Sequence, residues 1–468
     1  MVPYLPKQIT YRAIITYLAA LITVSLIFSR YAMRFGYIAL GLLCVIGFFS
    51  ITNSWSKYHH LKNKAAFLKA LFLVAVILRI IWVIGAYYYY VEVTGLPFEP
   101  GAADSIGYHE EATWLASEGW PEIWDYYFGE YYHGISDVGY PLYLTFLYKI
   151  FGPKLLLPRV IKSFLSAWTV VLVYRLSYRT FGEDTARMAG IMTALMPHFI
   201  LYCGYHLKET EMIFLEVAFL ERLDYIIRCR RIDFWNVLLP SLLAVCLFFF
   251  RTVLGAAAVF AFATTVLLSS SPTMKRGGKR VALIGWGILA LIVASGGTIM
   301  TEVEGLWEGR EDNVSNKRLE QTLRGNQWAQ YATGAVMAPM MFVLPFSTMI
   351  DVEQQYAQQT KHGGNYIRNF MGFFVILSIY EAIRRKKWRD FAMIGSFVIA
   401  YLGVISLSGF SNSERFLLPG LPCLIMMWAY GISTLRKQTY KLLTPWCFIV
   451  LLMEIGWAYF KLGSRGLV

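Results

Sequence analysis

Charged residues are scarce in this chain of 468 residues, where Asp, Glu, Lys and Arg make up only 16% of the sequence. Soluble globular proteins carry about 25% charged residues, and disordered chains have few hydrophobic ones. Here hydrophobic residues reach 57%. A soluble enzyme and a disordered protein are therefore excluded. Recurrent apolar runs of about 20 residues predict a protein that crosses the membrane many times.

Cysteine is rare as well. Only six cysteines occur, all in or beside apolar runs. None of them shows the Cys-x-x-Cys or Cys/His spacing of a metal site. The sequence thus excludes a disulfide scaffold, and we interpret these cysteines as small packing residues.

Basic residues are missing from one long stretch. Residues 92–139 contain ten acidic residues and no Lys or Arg, whereas 24 of the 43 basic residues lie near the N-terminus and in short connections elsewhere. Because short cytoplasmic loops carry an excess of Lys and Arg, this asymmetry predicts a cytoplasmic N-terminus and an outer location for 92–139. The same topology accounts for the net charge of +13 without a nucleic-acid partner.

We predict a single all-α transmembrane domain over 1–468, with about thirteen membrane-spanning helices. The predicted spans cover roughly 11–29, 35–52, 67–90, 159–176, 187–206, 211–227, 233–250, 252–270, 281–300, 367–383, 391–409, 416–434 and 443–460.

Two connections are much longer than the others, and both lie on the predicted outer side. The first covers 91–158 and includes 139–152, an apolar run too short to span, which we predict to be an amphipathic helix in the membrane interface. The second covers 301–366 and includes 337–350, a Pro-interrupted run predicted to be re-entrant or interfacial. Loops of this length are usually functional.

The first outer loop contains a candidate reactive carboxylate. Asp104, Tyr108 and Glu111 recur at helical spacing, so a short helix over 100–116 can present a carboxylate and an aromatic ring on one face. A carboxylate just outside a span can meet a lipid-borne substrate. A solvated acidic loop is the alternative interpretation.

Basic side chains at the predicted outer ends of spans are candidates for binding a phosphate. Lys208 is adjacent to Glu209, Arg251 stands alone between two apolar runs, and Arg415 precedes the twelfth span. Arginine suits this task because its planar guanidinium binds phosphate through two parallel hydrogen bonds. Helix capping and snorkelling to lipid headgroups are the alternatives.

A second basic group lies on the same predicted side. Arg159 and Lys162 follow the interfacial run in an otherwise acidic neighbourhood, which runs against the charge trend. Phosphate recognition and headgroup anchoring are both open interpretations.

Arg79, Glu216 and Glu454 are charged residues that lie inside predicted spans. Ionisable groups within a membrane are functional candidates by default. A structural ion pair between Arg79 and Glu216 is the alternative.

Six stretches together have the order and topology of a known enzyme family. They are D-S-I-G-Y-H at 104–109, G-Y-P-L-Y-L-T-F-L-Y-K-I-F-G at 139–152, P-R-V-I-K-S-F-L-S-A-W-T-V-V-L-V-Y-R-L-S at 158–177, A-L-M-P-H-F-I-L-Y at 194–202, K-E-T-E-M-I-F-L at 208–215 and R-F-L-L-P-G-L-P at 415–422. The chain thereby resembles the GT-C superfamily of integral-membrane glycosyltransferases, in particular the protein-mannosyltransferase and aminoarabinose-transferase type (glycosyltransferase family 39-like). The resemblance covers about 90–270 well and 410–435 moderately.

The resemblance implies an inverting glycosyltransferase that moves a sugar from a polyprenyl-monophosphate donor to an acceptor hydroxyl on the outer face of the membrane. It implies that Asp104 is the general base. It assigns Tyr108, His109 and Glu209 to orienting the acceptor. The residues expected to bind the leaving phosphate are Lys208 and Arg251, then Arg159, Lys162 and Arg415.

Cofactors and location follow from the same resemblance. The lipid-linked sugar is the only cofactor-like molecule required, and a divalent cation is an open option. The family's paired Asp-Glu is here Asp104-Ser105, which favours a bacterial relative that acts on a surface glycan or lipid over one that acts on protein. The expected location is the bacterial inner (cytoplasmic) membrane, with the active site on its outer face.

Two other functions stay open from the sequence. One is a surface polysaccharide polymerase or ligase that uses diphosphate-linked donors, which also has two long outer loops. The other is a transporter or flippase of lipid-linked glycan, which would require a polar path through the spans.

Overall fold

The computed structural model describes residues 3–59, 63–129, 136–229, 234–268, 340–352, 356–407, 413–463 and 465–467. These residues form helices and connections only. Within them we find no β-strand, and the nearest approach to one is an isolated antiparallel bridge between Ala32 and Ile350. The predicted all-α class is confirmed.

The α-helices are numbered in chain order over the described ranges. They are α1 (Lys7–Ile27), α2 (Phe35–His59), α3 (Lys64–Thr94), α4 (Ala103–Ser117), α5 (Trp120–Phe128), α6 (Gly139–Phe151), α7 (Leu156–Phe181), α8 (Glu183–Leu195), α9 (Pro197–Leu201), α10 (Glu209–Cys229), α11 (Phe234–Phe250), α12 (Thr252–Leu268), α13 (Tyr356–Arg384), α14 (Ala392–Leu407), α15 (Glu414–Leu417), α16 (Leu421–Ser433), α17 (Lys437–Lys441) and α18 (Leu443–Gly463).

In these ranges, seven helical stretches are long and apolar enough to cross a membrane. They comprise α1, α2, α3, α7, α13, the stretch from α15 through α16, and the stretch from α17 through α18. Three shorter apolar helices, α11, α12 and α14, accompany them. The predicted number of about thirteen stays a prediction, and the predicted span at 281–300 lies outside the described residues.

Helix α7 lies at the centre of one half of the bundle, where it packs against α3, α8 and α10. A buried arginine stabilises this packing through hydrogen bonds to α7 and α8. Arg79 of α3 donates from Nε to Ser166 Oγ at 2.7 Å and from Nη1 to the carbonyl of Ala194 at 3.2 Å. The alternative of an ion pair between Arg79 and Glu216 is wrong, because the Glu216 carboxylate instead lies 4.0 Å from the Cys423 thiol.

The fifth predicted span, 187–206, differs from a continuous helix. Helix α8 ends just before Pro197, where α9 begins, because proline has no N–H to donate and its ring clashes with the preceding turn. Turns then follow α9, and the indole of Trp82 donates to the carbonyl of Leu201 at 3.1 Å. Gly204 permits this approach, since a Cβ there would lie 2.8 Å from Trp82 Nε1.

The first outer connection is itself helical. It contains α4, α5 and α6, and α6 packs against α4. The helices expected over 100–116 and 139–152 are therefore both present, although the structure does not test their position relative to a membrane. Gly139 lets α6 approach the end of α11, since a Cβ at this position would lie 2.5 Å from the Phe250 ring.

The second outer connection is described only from Met340 onwards. Its helix α13 begins at Tyr356, earlier than the expected 367, because the polar side chains of its first turns are buried with partners inside the bundle. Residues 340–352 are largely buried but irregular, and polar side chains of α13 satisfy their backbone. Asn369, for example, donates to the carbonyls of Val343 and Pro345 at 2.6 and 2.9 Å. These bonds satisfy backbone carbonyls that no helix or strand pairs in this segment.

Candidate functional site

Four distant stretches of the sequence meet at one end of the bundle. They are the first turn of α4, the start of α10, the junction between α11 and α12, and the short helix α15. Three basic side chains gather here, and we call them the charge-paired cluster: Lys208, Arg251 and Arg415. Each interacts with carboxylates from other elements.

Arg415 joins two carboxylates that are far apart in the chain. Its Nη1 donates to Oδ2 of Asp104 and its Nε donates to Oε1 of Glu209. The Glu209 side chain is fully buried, whereas that of Asp104 is 58% exposed. Asp104 is therefore an accessible carboxylate that a guanidinium holds in place from one side.

Lys208 has a partner that the sequence did not single out. Its Nζ contacts Oδ1 of Asp137, whose side chain is 49% exposed while that of Lys208 is 1% exposed. Burial lowers the pKa of Lys208 from its ordinary value, and the neighbouring Asp137 carboxylate opposes this effect only in part. The Lys208 ammonium is thus buried, and the carboxylate that contacts it, that of Asp137, is half-exposed.

Arg251 lies between α11 and α12, where its guanidinium stacks 4.5 Å from the centre of the Phe416 ring. Tyr401 of α14 lies beside it and donates its hydroxyl to the Phe416 carbonyl at 2.9 Å. Arg251 is buried, and its Nη1 has no hydrogen-bond partner among the described residues. One face of this guanidinium is therefore fixed while one of its nitrogens is left without a hydrogen-bond partner among the described residues.

Local sequence explains why Asp137 reaches these cations. The backbone N–H of Thr252 donates to Ser136 Oγ at 3.4 Å, which ties the chain before α6 to the start of α12. The close approach of Gly139 to Phe250 fixes the other side. Asp137 adopts a left-handed backbone with φ of 69°, which Asp tolerates better than most residues.

Two other predicted phosphate ligands lie apart from this cluster, and we call them the carbonyl-bound cluster: Arg159 and Lys162. Arg159 donates to the carbonyl of Pro97 at 2.7 Å. Lys162 donates to the carbonyl of Tyr205 at 3.0 Å and lies 3.7 Å from the Glu211 carboxylate. Both side chains are fully buried, and Nε and Nη1 of Arg159 have no hydrogen-bond partner among the described residues.

The predicted acceptor residues Tyr108 and His109 lie on α4 beyond Asp104. The Tyr108 ring packs edge-on against Tyr140, with centroids 5.2 Å apart, and burial raises its pKa. His109 Nδ1 lies 2.9 Å from the hydroxyl of Tyr148, and burial lowers the pKa of this histidine. Tyr108 therefore faces the charged site, whereas His109 is bound into the contact between α4 and α6.

Sequence reasoning missed Asp137 and Tyr401 as members of this site. Asp137 is one of ten acids in its stretch, and nothing in the sequence distinguishes it from the others. Tyr401 lies within a predicted span, where an aromatic residue is interpreted as packing. Only the tertiary arrangement reveals that both touch the charge-paired cluster.

Among the residues that the structure describes, no group of three or more His, Cys, Asp or Glu side chains is arranged to hold a metal ion. The optional divalent cation stays untested.

Comparison with known proteins gives no assignment. No protein-family model matches the chain, and a search of curated proteins finds no match.

Proposed function

We propose that this protein is an inverting glycosyltransferase of the GT-C type. It would transfer a sugar from a polyprenyl-monophosphate donor to the hydroxyl of a glycan, lipid or protein acceptor at the outer face of the membrane. One observation carries the proposal: an accessible carboxylate, Asp104, lies at the same end of the bundle as three basic side chains that can hold a phosphate.

The position of Asp104 suits a general base. A base must be ionised before the reaction and must reach the hydroxyl that it deprotonates. Arg415 holds the carboxylate in place, and the exposure of the side chain leaves room for an acceptor. Tyr108 on the next turn of the same helix offers a neighbouring ring and hydroxyl to the acceptor.

The charge-paired cluster suits the leaving group. As the bond between the anomeric carbon and the phosphate oxygen breaks, negative charge develops on the lipid phosphate. Arg415 contacts Asp104, while Lys208 and Arg251 act on the adjacent, buried Glu209, and Nη1 of Arg251 has no hydrogen-bond partner among the described residues. The carbonyl-bound cluster is the second candidate, since Arg159 and Lys162 already donate to backbone carbonyls while Nε and Nη1 of Arg159 also lack a partner among these residues.

The surroundings of Arg251 favour a donor carried on a lipid. Helix α11, which leads directly to Arg251, exposes apolar side chains along its length, including Leu239, Leu242 and Val245. An isoprenoid chain can lie along such a face while its phosphate reaches the basic side chains at the end of the helix.

The proposed reaction balances as a single displacement. The acceptor hydroxyl oxygen forms a bond to the anomeric carbon, and its proton passes to the Asp104 carboxylate. The bond from the anomeric carbon to the phosphate oxygen breaks, and its electron pair leaves with the polyprenyl phosphate. Inversion at the anomeric carbon follows from this one-step attack.

The test is transfer by purified protein from a panel of polyprenyl-monophosphate sugars, detected by mass spectrometry of donor and product. We expect Asp104→Asn to lose transfer by about 10²–10⁴-fold, the usual contribution of a general base, while donor binding is retained. Glu110→Gln is the matched control, since Glu110 is an exposed carboxylate on the same helix.

Full activity in Asp104→Asn would overturn the assignment of the base. Absence of binding to every monophosphate donor, together with binding of a diphosphate-linked glycan, would instead favour a polymerase, ligase or flippase.

A further inference from the structure

Asp137 has no role in the displacement proposed above, yet it contacts the most deeply buried cation of the site. Its carboxylate caps Lys208 from the half-exposed side. It also acts electrostatically on Arg251, whose Nη1 has no partner among the described residues. The left-handed backbone at Asp137 and the tie from Thr252 to Ser136 direct this carboxylate into the site.

Charge balance limits what else the site can bind. Three cations (Lys208, Arg251 and Arg415) face three carboxylates (Asp104, Asp137 and Glu209). A phosphate group that entered without displacing a carboxylate would add uncompensated negative charge next to buried groups, which is costly. Glu209 is fully buried and Asp104 is needed as the base, so Asp137 is the carboxylate that can leave.

We propose that Asp137 occupies the phosphate position of the empty site, and that the phosphate of the donor displaces it from Lys208 and Arg251. This inference rests on the proposed function for its substrate, and the shared chemistry is that of an anionic phosphate, which is a diester in the donor and a monoester in the polyprenyl phosphate that leaves. A carboxylate and a phosphate both present anionic oxygens to the same donors. Asp137 thereby neutralises the buried cations between turnovers. Only an anion that binds these cations more strongly than the Asp137 carboxylate does can displace it.

The test measures binding of a sugar-free probe, farnesyl phosphate, to the full-length protein in detergent. In Asp137→Asn the competing charge is gone, and we expect the probe to bind about tenfold more tightly than to wild type. Asp125→Asn is the matched control, because it removes one exposed carboxylate from the same acidic segment and should leave affinity unchanged. Combining Asp137→Asn with Lys208→Met should abolish the gain.

A second arm uses inorganic phosphate as the probe. If the site recognises only the phosphate, Asp137→Asn gains affinity equally for inorganic and farnesyl phosphate. If the isoprenoid chain on the α11 face contributes, Asp137→Asn again gains affinity for both probes, and farnesyl phosphate binds more tightly than inorganic phosphate in wild type and variant alike. Either pattern supports displacement of Asp137 and identifies the source of the phosphate.

Unchanged or weakened binding of both probes to a folded Asp137→Asn protein would overturn the inference. If the wild-type protein still transfers sugar when the Asp137 inference fails, the proposed function is retained. Conversely, a gain in prenyl-phosphate affinity without sugar transfer from any donor would retain the role of Asp137 and reject the glycosyltransferase.

Discussion

The charge-paired cluster and the carbonyl-bound cluster contain the same kinds of side chain, but their partners differ. Lys208 and Arg415 contact half-exposed carboxylates from the segment between α3 and α7. Arg159 and Lys162 donate to backbone carbonyls and are fully buried. A basic residue bound to a fixed carbonyl holds the chain together, whereas one bound to a displaceable carboxylate can exchange it for a ligand. We propose that the partner of a cation, more than its burial, separates structural cations from those that bind substrate.

The largest expected effect is on stability and tests the structural side of this comparison. Lys162→Met leaves the buried Glu211 carboxylate without its neighbouring charge, which should cost about 3–5 kcal/mol in the free energy of unfolding. Thermal unfolding in detergent measures it. The double variant Lys162→Met/Glu211→Gln should recover part of the loss, because no unpaired charge remains. If Lys162→Met is as stable as wild type and loses only donor binding, Lys162 is a ligand-binding cation and not a structural one.

The second effect is on catalysis and tests the ligand-binding side. Arg251→Ala removes a cation from the developing phosphate charge and should lower kcat/KM by about 10²–10³-fold, with little change in the unfolding temperature. Lys154→Ala, which removes an exposed charge near the carbonyl-bound cluster, serves as control. Wild-type activity in Arg251→Ala would show that the two clusters do not differ as described.

A smaller effect is the dependence of donor binding on pH. Burial lowers the pKa of Lys208, so its ammonium is lost at a lower pH than that of an ordinary lysine. Donor affinity should therefore fall as the pH rises through this lowered pKa, by up to about tenfold for each pH unit above it. Lys208→Arg keeps its charge and should flatten the alkaline limb of a binding titration. An alkaline limb that is unchanged in Lys208→Arg would assign the titration to another group.

The smallest effect concerns the support of Arg251. Tyr401→Phe removes the hydroxyl beside the guanidinium and its bond to the Phe416 carbonyl. One such hydrogen bond contributes about 1 kcal/mol, so activity should fall about fivefold. Steady-state transfer assays measure this change. A loss as large as that of Arg251→Ala would mean that Tyr401 itself contacts the substrate.

The sequence predicts the all-α class, which the structure confirms, but it does not predict how the candidate residues group. Apolar length and charge asymmetry indicate spans because the bilayer imposes both. Lys208, Arg251 and Arg415 are candidates because each lies at the end of an apolar run, whereas Asp104 is a candidate from its helical spacing and from the family resemblance. The bundle brings these residues to one end, which a local pattern does not predict.

The grouping itself depends on contacts that no local pattern encodes. The separation of Arg159 and Lys162 from the other cations follows from carbonyls at Pro97 and Tyr205, which become available only where the chain turns. The early start of α13 escaped prediction for a related reason. Its first turns are polar and resemble a loop in hydropathy, although tertiary partners satisfy them, as when His362 contacts the Tyr17 hydroxyl at 2.8 Å.

The break at Pro197 limits how far helix α8 can reach across a membrane. Helix α8 has 13 residues, so at 1.5 Å per residue it rises only about 20 Å, against a hydrocarbon core of about 30 Å. In the topology predicted from the charges, α8 starts at the cytoplasmic surface, so its end at Leu195 and the break at Pro197 lie within the bilayer, short of the opposite headgroups. Backbone groups freed by such a break have no water to bind and must find partners in the protein, as the carbonyl of Leu201 does in the Trp82 indole.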